Sequence, residues 1–501
     1  MSSNLPMLPI LVPFISAILM LFFGKRVVAH KIIAVLSTSI SVVVSFYLLI
    51  VVLKEGMLVF CASDWSAPFG IILTMDLFSC IMVILSGVIF FAGTLYSIFT
   101  IDYEQQRNDY FVLVLFMAMG VNGAFITGDI FNMFVWFEIL LVSSYVLMAI
   151  GSFRKQLRET FKYMMLNILA STLFLIAVGV LYSIVGSMNM ADIAEKLATL
   201  DNKGIITVIA MMFLVVFGIK GGLFPLFFWL PQSYTEPPAA VAAIFGGMLT
   251  KVGVYCLFRV FTLIFVGNTA FTHSVLLILG IATMLIGVIG AVGRFRFKSI
   301  LSYHIISQVG YMIMGLGLYT VMGIAGGIFH IAHNVVVKSC LFLTQGITNK
   351  ISKTDNIKEM GGMLAKYPVL GWTFLLAAFS LAGVPPFSGF FSKFILIQES
   401  LAQSLYWAVI IAVAVSFLTL MSHIKIFLYV FWGKEKTLPH PEDNLRRNVT
   451  GALAPCIMLV TASLAMGIAA QPVMEVILEA SKQLMDPNYY IESVMSIAGR
   501  R

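Results

Sequence analysis

Five charged side chains lie deep inside long apolar segments of this 501-residue sequence. They are Glu138, Lys220, Lys251, Lys338 and Lys393. An ionised group at the centre of a bilayer costs about 2.5–3.5 kcal/mol on insertion scales, so such groups are candidates for function by default. A Glu–Lys pair in a dry site takes up and releases a proton when the pair opens and closes. The five residues therefore predict a proton relay inside a membrane.

Histidines extend this set. His330 and His333 precede Lys338 in the segment HIAHNVVVK. Imidazole titrates near neutral pH and passes protons through either nitrogen. On a helix His330 shares the face of Lys338, whereas His333 is rotated from it by about 140°. This face argument predicts that His330 serves the relay more directly than His333, with His304 as an accessory candidate on another helix.

Other charges lie closer to the ends of apolar segments. Arg259 and Lys425 have side chains long enough to carry their charge to the membrane surface, so snorkelling is expected. Asp76 lies at the start of a predicted helix, where a capping or interfacial role is expected. His423, also near the end of an apolar segment, has no predicted role.

Two predicted spans are interrupted by glycine and proline, which open the hydrogen-bond ladder of a helix. Each interruption has a lysine beside it, Lys220 in IKGGLFP and Lys393 in PPFSGFFSKF. The residues predicted to form the breaks are Gly221, Gly222, Pro225, Pro385, Pro386 and Gly389. Broken helices at corresponding places of two repeats point to an ion pathway.

The elements that position these residues are predicted to be transmembrane helices. Hydrophobic residues make up 60% of the chain and charged residues 11%, against roughly 25% charged residues in soluble domains. This composition excludes soluble enzymes, disulfide scaffolds and disordered chains, and predicts an all-α polytopic membrane protein. Fourteen apolar stretches are long enough to cross a bilayer: 5–24, 31–53, 71–98, 110–127, 129–150, 161–186, 204–230, 239–265, 274–292, 300–319, 322–346, 369–398, 403–432 and 449–469.

Basic residues predict the orientation of these spans. Nineteen of the 31 lysines and arginines fall in loops on one side, six in loops on the other side or in the tail, and six within spans. Because basic loops face the cytoplasm, both termini are predicted outside, and the basic loops are expected to meet anionic lipid.

The two broken spans are five spans apart, which predicts two five-helix units. Residues 110–265 hold spans 4–8 and residues 266–432 hold spans 9–13. An odd number of spans turns the second unit upside down relative to the first. Residues 1–109 hold the first three spans, and residues 433–501 hold the last span and an outer tail.

The sequence contains no phosphate-binding loop, no HExxH motif and no CxxC pair. Its loops are too short for a soluble catalytic domain. We therefore expect no metal, no cofactor, no nucleic-acid partner and no catalytic residue. The energy source is expected to be an ion gradient or a partner subunit.

Four segments together resemble the antiporter-like subunits of respiratory complex I and of the Mrp multisubunit cation/proton antiporters. They are FVWFEILLVSSYVL, FGIKGGLFPLFFWLPQSYTEPPAAVAAIFGGMLTKVGVY, SILSYHIISQVGYM and PPFSGFFSKF. The segments RKQLRETFKYMMLNILAS and YHIISQVGYM and the EPPAA turn are most similar to D-type Mrp subunits. The resemblance covers spans 3–13 and implies fourteen core helices, two inverted five-helix repeats, and broken seventh and twelfth helices.

The resemblance also implies roles for individual residues. The family's fifth-helix glutamate falls on Glu138. Its lysines of the seventh, eighth and twelfth helices fall on Lys220, Lys251 and Lys393.

The resemblance is less complete in span 11, where the family's histidine and lysine fall near His333 and Lys338. Many relatives carry a histidine four residues before that lysine, where this chain has Asn334. Asparagine does not titrate, so His330 or His333 is expected to substitute for that histidine.

Residues and resemblance together lead us to expect a proton-translocating subunit of a multisubunit Na⁺/H⁺ antiporter. Protons are expected to enter near Lys220 and Lys251, cross span 11 and leave from Lys393, with Glu138 acting on Lys220. The implied partners are membrane subunits of the Mrp A, B, C, E, F and G types, protons, Na⁺ and the lipid bilayer. The implied location is a bacterial or archaeal cell membrane.

Two other interpretations stay open. A proton-pumping subunit of a complex I-like or membrane-bound hydrogenase complex would use the same residues. Neighbouring genes for iron–sulfur or hydrogenase subunits would favour this interpretation, whereas genes for small membrane subunits alone would favour the antiporter. A membrane enzyme acting on lipid-linked substrates is a third class, but such enzymes carry acidic motifs in sizeable loops.

Overall fold

The computed structural model describes residues 4–200, 202–434, 436 and 443–496, and almost all regular structure within them is helical. The prediction of an all-α membrane protein is therefore confirmed. The two termini, residues 1–3 and 497–501, lie outside the described residues. So do residues 435 and 437–442 of the predicted last segment.

The N-terminal part combines long helices with a short β-hairpin. Its elements are α1 (Leu8–Phe22), α2 (Val27–Glu55), β1 (Leu58–Cys61), β2 (Ile72–Met75), α3 (Leu77–Thr100) and α4 (Tyr103–Arg107). The two strands pair antiparallel. The prediction that the third apolar stretch is helical from residue 71 is wrong for this strand, because α3 begins only after its Asp76 cap.

The next part contains the first broken helix. Its elements are α5 (Tyr110–Ile126), α6 (Ile130–Ala149), α7 (Arg154–Val185), α8 (Met190–Thr199), α9 (Lys203–Gly221), α10 (Leu230–Ser233), α11 (Ala239–Ile244) and α12 (Thr250–Leu263). A π-helical turn, Phe245–Leu249, joins α11 to α12. The three pieces form one continuous apolar helix, Ala239–Leu263.

The rest of the chain contains the second broken helix and ends in two shorter helices. The elements are α13 (Thr269–Val292), α14 (Phe297–Leu318), α15 (Val321–Ser352), α16 (Met363–Lys366), α17 (Pro368–Ala382), α18 (Ser388–Ala402), α19 (Tyr406–Val430), α20 (Asp443–Ile468), α21 (Ala470–Met485) and α22 (Pro487–Met495).

Each of the fourteen predicted apolar stretches overlaps one or more helices, and the third also includes β2. Among the described residues, 11 helices are long and apolar enough to cross a membrane. Two shorter apolar helices, α5 and α17, and the more polar α14 coincide with the other three stretches. The number of fourteen crossings stays a prediction.

The centre of the molecule is built around α15. Its most apolar stretch is completely buried, as is that of the α11–α12 helix. A helix that is apolar on every side is stable only when other helices surround it. α15 packs against α14, α17, α18, α20 and α21, so the polar side chains along it lie in the middle of the protein.

The two broken helices end in the same way. α9 is followed by Gly222 at φ +77° and α17 by Gly383 at φ +91°, a conformation that glycine adopts without strain. In each case two successive N–H groups donate to one carbonyl: Gly222 and Leu223 to Gly218 at 2.9 and 2.9 Å, and Gly383 and Val384 to Phe379 at 3.1 and 3.0 Å.

The predicted break residues need two corrections. Gly221 is the last residue of α9, so the break begins after it, at Gly222. Gly389 lies inside α18 and allows close packing instead, because a Cβ there would lie 1.9 Å from the carbonyl oxygen of Ser380. Pro225, Pro385 and Pro386 lie in the break segments as predicted, since they fall between helices.

Candidate functional site

A row of buried lysines and histidines crosses the centre of the protein. Lys220 is the last residue but one of α9, Lys251 is the second residue of α12, Lys338 lies in the middle of α15, and Lys393 lies in α18. All four are at most 4% exposed. Lys338 is within electrostatic range of both Lys251 and Lys393. The structure therefore brings these three lysines, one from each of three helices, into one group.

Lys220 has its own set of neighbours. Its Nζ lies 3.3 Å from Ser171 Oγ and 4.4 Å from the centre of the Phe137 ring. Glu138 is close enough for electrostatic interaction, but Oε1 of this carboxylate has no hydrogen-bond partner among the described residues. The charges therefore interact through space, without a hydrogen bond from Lys220 to that oxygen.

Glu138 also interrupts an exposed face of α6. The other residues of this face are the apolar and exposed Phe131, Val135, Val142 and Val146. Their spacing of three or four residues keeps them on one side of the helix. A carboxylate in such a face meets either lipid or another protein, and lipid does not solvate it.

Lys251 follows the π-helical turn. Its Nζ donates to the carbonyl oxygen of Gly246 at 2.6 Å. In a π-helical turn each N–H bonds the carbonyl five residues earlier in the chain instead of four. This shift leaves a carbonyl free for another partner, and such turns are frequent at functional sites. The turn fits closely against α15, because a Cβ on Gly247 would lie 2.4 Å from Ser339 Oγ.

Lys338 and Lys393 also use neutral acceptors. Lys338 Nζ lies 3.4 Å from the carbonyl oxygen of Leu301. Lys393 Nζ donates to the carbonyls of Leu381 and Ala382 at 2.9 and 3.1 Å. Each of the four buried lysines, Lys220 and Lys251 included, therefore bonds to a hydroxyl or carbonyl oxygen. A lysine held in this way can lose its proton without leaving a carboxylate unpaired.

The two histidines of α15 both bind α18. Nδ1 of His330 lies 3.0 Å from Ser392 Oγ, and Nδ1 of His333 lies 2.9 Å from Ser388 Oγ. Their ring centres are 5.7 Å apart, and neither Nε2 has a hydrogen-bond partner among the described residues.

The face argument does not hold for His333. The charged groups within electrostatic range of this ring include both Lys338 and Lys393. Those within range of His330 include His333, Lys393 and Lys251. A helical wheel of α15 alone does not show all of these neighbours, because α18 also lies close to both rings.

One histidine with no predicted role joins the site. The rings of His304 and His423 lie 4.5 Å apart, both fully buried, and His304 Nε2 bonds Ser422. Lys338 and Lys393 lie within electrostatic range of both rings. The sequence does single out His423, since it is a polar residue that follows Ser422 in an apolar helix. It received no predicted role because it lies near the end of that helix.

Arg259 does not snorkel as expected. It is 3% exposed and forms two hydrogen bonds with Asp76, at 2.6 and 2.9 Å. Asp76 also caps α3, as predicted, by accepting from the N–H of Ser79 at 2.8 Å. Lys425, in contrast, reaches the carbonyls of Val292 and Arg294 near the protein surface, as snorkelling predicts.

A polar cavity of about 690 Å³ opens on the side that the charge pattern predicts to be cytoplasmic. Glu236 and Asp355 line it, with Arg296 between them. Burial raises the pKa of the Asp355 carboxyl above its usual range. Lys298 is buried beside Asp355, whose Oδ1 accepts from the backbone N–H of this lysine, and its side chain donates to the carbonyl of Pro237.

The described residues contain no group of three or more His, Cys, Asp or Glu side chains that would hold a metal ion. The polar atoms of the site are amines, imidazoles, hydroxyls and carbonyls. The amines and imidazoles among them can take up and release protons.

Fold and site together define a polytopic membrane protein with a row of buried titratable side chains. The family described as NADH:quinone oxidoreductase/Mrp antiporter, TM, matches residues 127–419. The chain belongs to this family.

Individual relatives agree with this assignment. The chain is 48% identical to the D-type subunit of the Na⁺/H⁺ antiporter of Alkalihalophilus pseudofirmus and 40% identical to that of Bacillus subtilis, each over 98% of this chain and 99% of the relative.

Solved structures are similar over almost the whole chain. A chain of the Mrp complex from Dietzia sp. DQ12-45-1b gives a TM-score of 0.91 at 28% identity, covering 98% of this chain and 100% of that one. A chain of respiratory complex I from Thermus thermophilus gives 0.80 at 22% identity, covering 96% and 100%, which is a likeness of fold alone.

Proposed function

We propose that this chain is the proton-translocating subunit of a multisubunit monovalent cation/proton antiporter, with Na⁺ as the exchanged cation. The observation that carries the proposal is the group of Lys251, Lys338 and Lys393, buried together and bonded to neutral oxygens. The relatives named as D-type subunits of Na⁺/H⁺ antiporters support the choice of reaction. The protein is then a transporter subunit and not an enzyme.

The proton pathway runs along the row of buried groups. Protons enter near Lys220 and Lys251, pass through Lys338 and the two histidines of α15, and leave from Lys393. The electrostatic contacts of Lys338 with Lys251 and Lys393 support this order. Glu138 acts on Lys220 through its charge.

The pathway follows two inverted units, residues 110–265 and 266–432, with residues 1–109 and 433–501 outside them. The matched endings of α9 and α17 support this division, because each break has the same hydrogen-bond pattern in the same position relative to its glycine. A basic cytoplasmic side with both termini outside completes the arrangement.

The complex contains further membrane subunits of the Mrp A, B, C, E, F and G types in a bacterial or archaeal cell membrane. The face of α6 that carries Glu138 is a contact surface for one of them, because a partner supplies the polar group that lipid lacks. The likeness to a chain of an Mrp complex supports this assembly. Redox complexes resemble the chain in fold alone, at 23 and 22% identity.

The test uses the complete complex in everted membrane vesicles from cells that lack other Na⁺/H⁺ antiporters. Addition of Na⁺ is expected to release protons with the wild-type complex and with Lys425→Ala, whose lysine bonds two carbonyls at the surface. Lys393→Ala is expected to abolish the response at an unchanged amount of assembled complex. Full Na⁺-dependent exchange by Lys393→Ala contradicts the proposed pathway.

A further inference from the structure

A chain of three serine hydroxyls links the last long helix to the histidines of α15. Ser380 lies in α17, Ser388 in α18 and Ser463 in α20, and all three are fully buried. Ser463 Oγ lies 2.7 Å from Ser380 Oγ and 3.0 Å from Ser388 Oγ. Ser388 Oγ in turn lies 2.9 Å from Nδ1 of His333. The pathway proposed above makes no use of Ser463 or Ser380.

Glycines make this contact between helices possible. A Cβ on Gly467 would lie 2.1 Å from the carbonyl oxygen of Pro386, so α20 rests directly against the break between α17 and α18. A Cβ on Gly389 would lie 2.8 Å from Nε2 of His333. The hydroxyl chain therefore lies beside the break and the histidine pair.

The hydrogen bonds of His330 determine which of its nitrogens carries hydrogen. A serine hydroxyl has a single hydrogen to donate. Ser392 donates it to the carbonyl oxygen of Gly389 at 3.1 Å, so towards His330 it acts as an acceptor. Neutral His330 therefore carries its hydrogen on Nδ1, and its Nε2 is an acceptor.

His333 is held in the opposite arrangement. In one direction, Ser380 donates to Ser463, Ser463 donates to Ser388, and Ser388 donates to His333. Each of the three hydroxyl hydrogens then has an acceptor. The reverse direction leaves the hydrogen of Ser380 without an acceptor among the described residues. In the favoured direction Nδ1 of His333 accepts the hydrogen bond from Ser388, so neutral His333 carries its hydrogen on Nε2.

The two histidines are then complementary. A proton passes between two rings 5.7 Å apart, directly or through one water molecule, when one ring nitrogen donates a hydrogen bond to the link and the other accepts one from it. Nε2 of His333 is the donor and Nε2 of His330 is the acceptor. With both rings hydrogenated on Nδ1, a bridging water would donate to both Nε2 atoms, and neither ring would have a hydrogen to pass on at this link.

We infer that Ser463 is a positioning residue that holds His333 in the tautomer with hydrogen on Nε2 and so keeps the histidine pair of α15 linked. It acts through Ser388 and touches no transported ion. The inference rests on the proposed function, since the link matters only if protons pass the pair.

The test is a double-mutant cycle, measured as Na⁺-dependent proton release by the whole complex in everted vesicles. Ser463→Ala is expected to slow exchange by roughly fivefold, the size of one lost hydrogen bond. Ser400→Ala is the matched control, because Ser400 is an equally buried serine whose hydroxyl bonds only Leu396 of its own helix. This control is expected to exchange at the wild-type rate.

The cycle separates positioning from packing. Combined with His333→Ala, Ser463→Ala is expected to cause no further loss, because the ring that it orients is gone. Combined with His330→Asn, which keeps a polar side chain but no titratable ring, the effect of Ser463→Ala is also expected to shrink, since no proton can pass from ring to ring. Immunoblots of the assembled complex check that every variant is present in equal amount.

Two results overturn the inference while leaving the function intact. One is a wild-type rate for Ser463→Ala. The other is a full fivefold loss added to His333→Ala, which indicates a packing role. If instead the wild-type complex exchanges no cation for protons, the proposed function fails and the inference fails with it.

Discussion

Nζ of Lys393 donates to the carbonyl oxygen of Leu381 at 2.9 Å, across the break that separates α17 from α18. The last carbonyls of a helix have no partner within the helix, and they carry the negative end of its dipole. The lysine of one half-helix therefore completes the end of the other. A proton gained or lost at Lys393 changes the interaction that joins the two halves.

Lys393→Arg tests whether this side chain must lose its proton. Arginine can bond the same carbonyls but stays protonated, so we expect the exchange rate to fall by about a hundredfold, within the range of lost acid–base catalysis. The measurement is Na⁺-dependent proton release between about pH 7 and pH 9, where a neutral lysine is accessible and a neutral arginine is not. An arginine variant with the wild-type rate and pH profile argues against titration of Lys393.

Glu138→Gln tests the charge of the glutamate at constant size. Because no hydrogen bond joins Glu138 Oε1 to Lys220, the amide removes charge without breaking a direct contact to that lysine. We expect exchange to slow by about tenfold, the equivalent of about 1.4 kcal/mol of charge interaction. Lys220→Ala is expected to abolish exchange in the same assay.

The matched control for Glu138→Gln is Val142→Gln, one turn further along the exposed face of α6. If both glutamines reduce the amount of assembled complex equally, the effect lies in the contact surface and not in the charge of Glu138.

The sequence predicted much of the fold and the lysines of the site. An apolar span is defined by its own residues, so Lys220, Lys251, Lys338 and Lys393 stood out from their immediate surroundings. The two broken helices were also visible locally, as glycine and proline beside a lysine.

Pairings between distant segments were not predictable in this way. Arg259 finds Asp76 from a helix that lies 183 residues away in the chain, and nothing near Arg259 in the sequence marks that partner. His423 meets His304 across two helices for the same reason. The rotation of α15 against α18, which brings His333 into the site, is a property of packing and not of helical period.

Arg259→Met tests the buried ion pair. Removing one member of a buried pair leaves the other charge unpaired, which costs about 3–5 kcal/mol. We expect less assembled complex and a lower melting temperature in detergent. Arg259→Met combined with Asp76→Asn is expected to recover part of both, because no unpaired charge remains.

Lys54→Met is the control for this pair, since Lys54 is exposed. If Arg259→Met assembles and melts like the wild-type complex, the pair contributes nothing to stability. Its position near the C-terminal helices, with Arg259 5.4 Å from the Tyr490 ring, would then need another explanation.

The histidines of α15 provide the last prediction. In the proposed link Nε2 of His330 is the acceptor, because Ser392 fixes its hydrogen on Nδ1, whereas His333 donates from Nε2, because Ser388 occupies its Nδ1. A proton that crosses the pair is therefore taken up by His330, although both rings lie within electrostatic range of Lys393. We expect His330→Ala to reduce exchange by about a hundredfold and His333→Ala by about tenfold, within or just below the range of lost proton-transfer groups. The double variant is expected to match His330→Ala, because the two rings act in series and the slower step already limits the exchange rate. Exchange is measured with assembled complexes at several pH values. A larger loss for His333→Ala would mean that His333 and not His330 takes up the proton, and silence of both variants would leave Lys338 and water to connect Lys251 with Lys393.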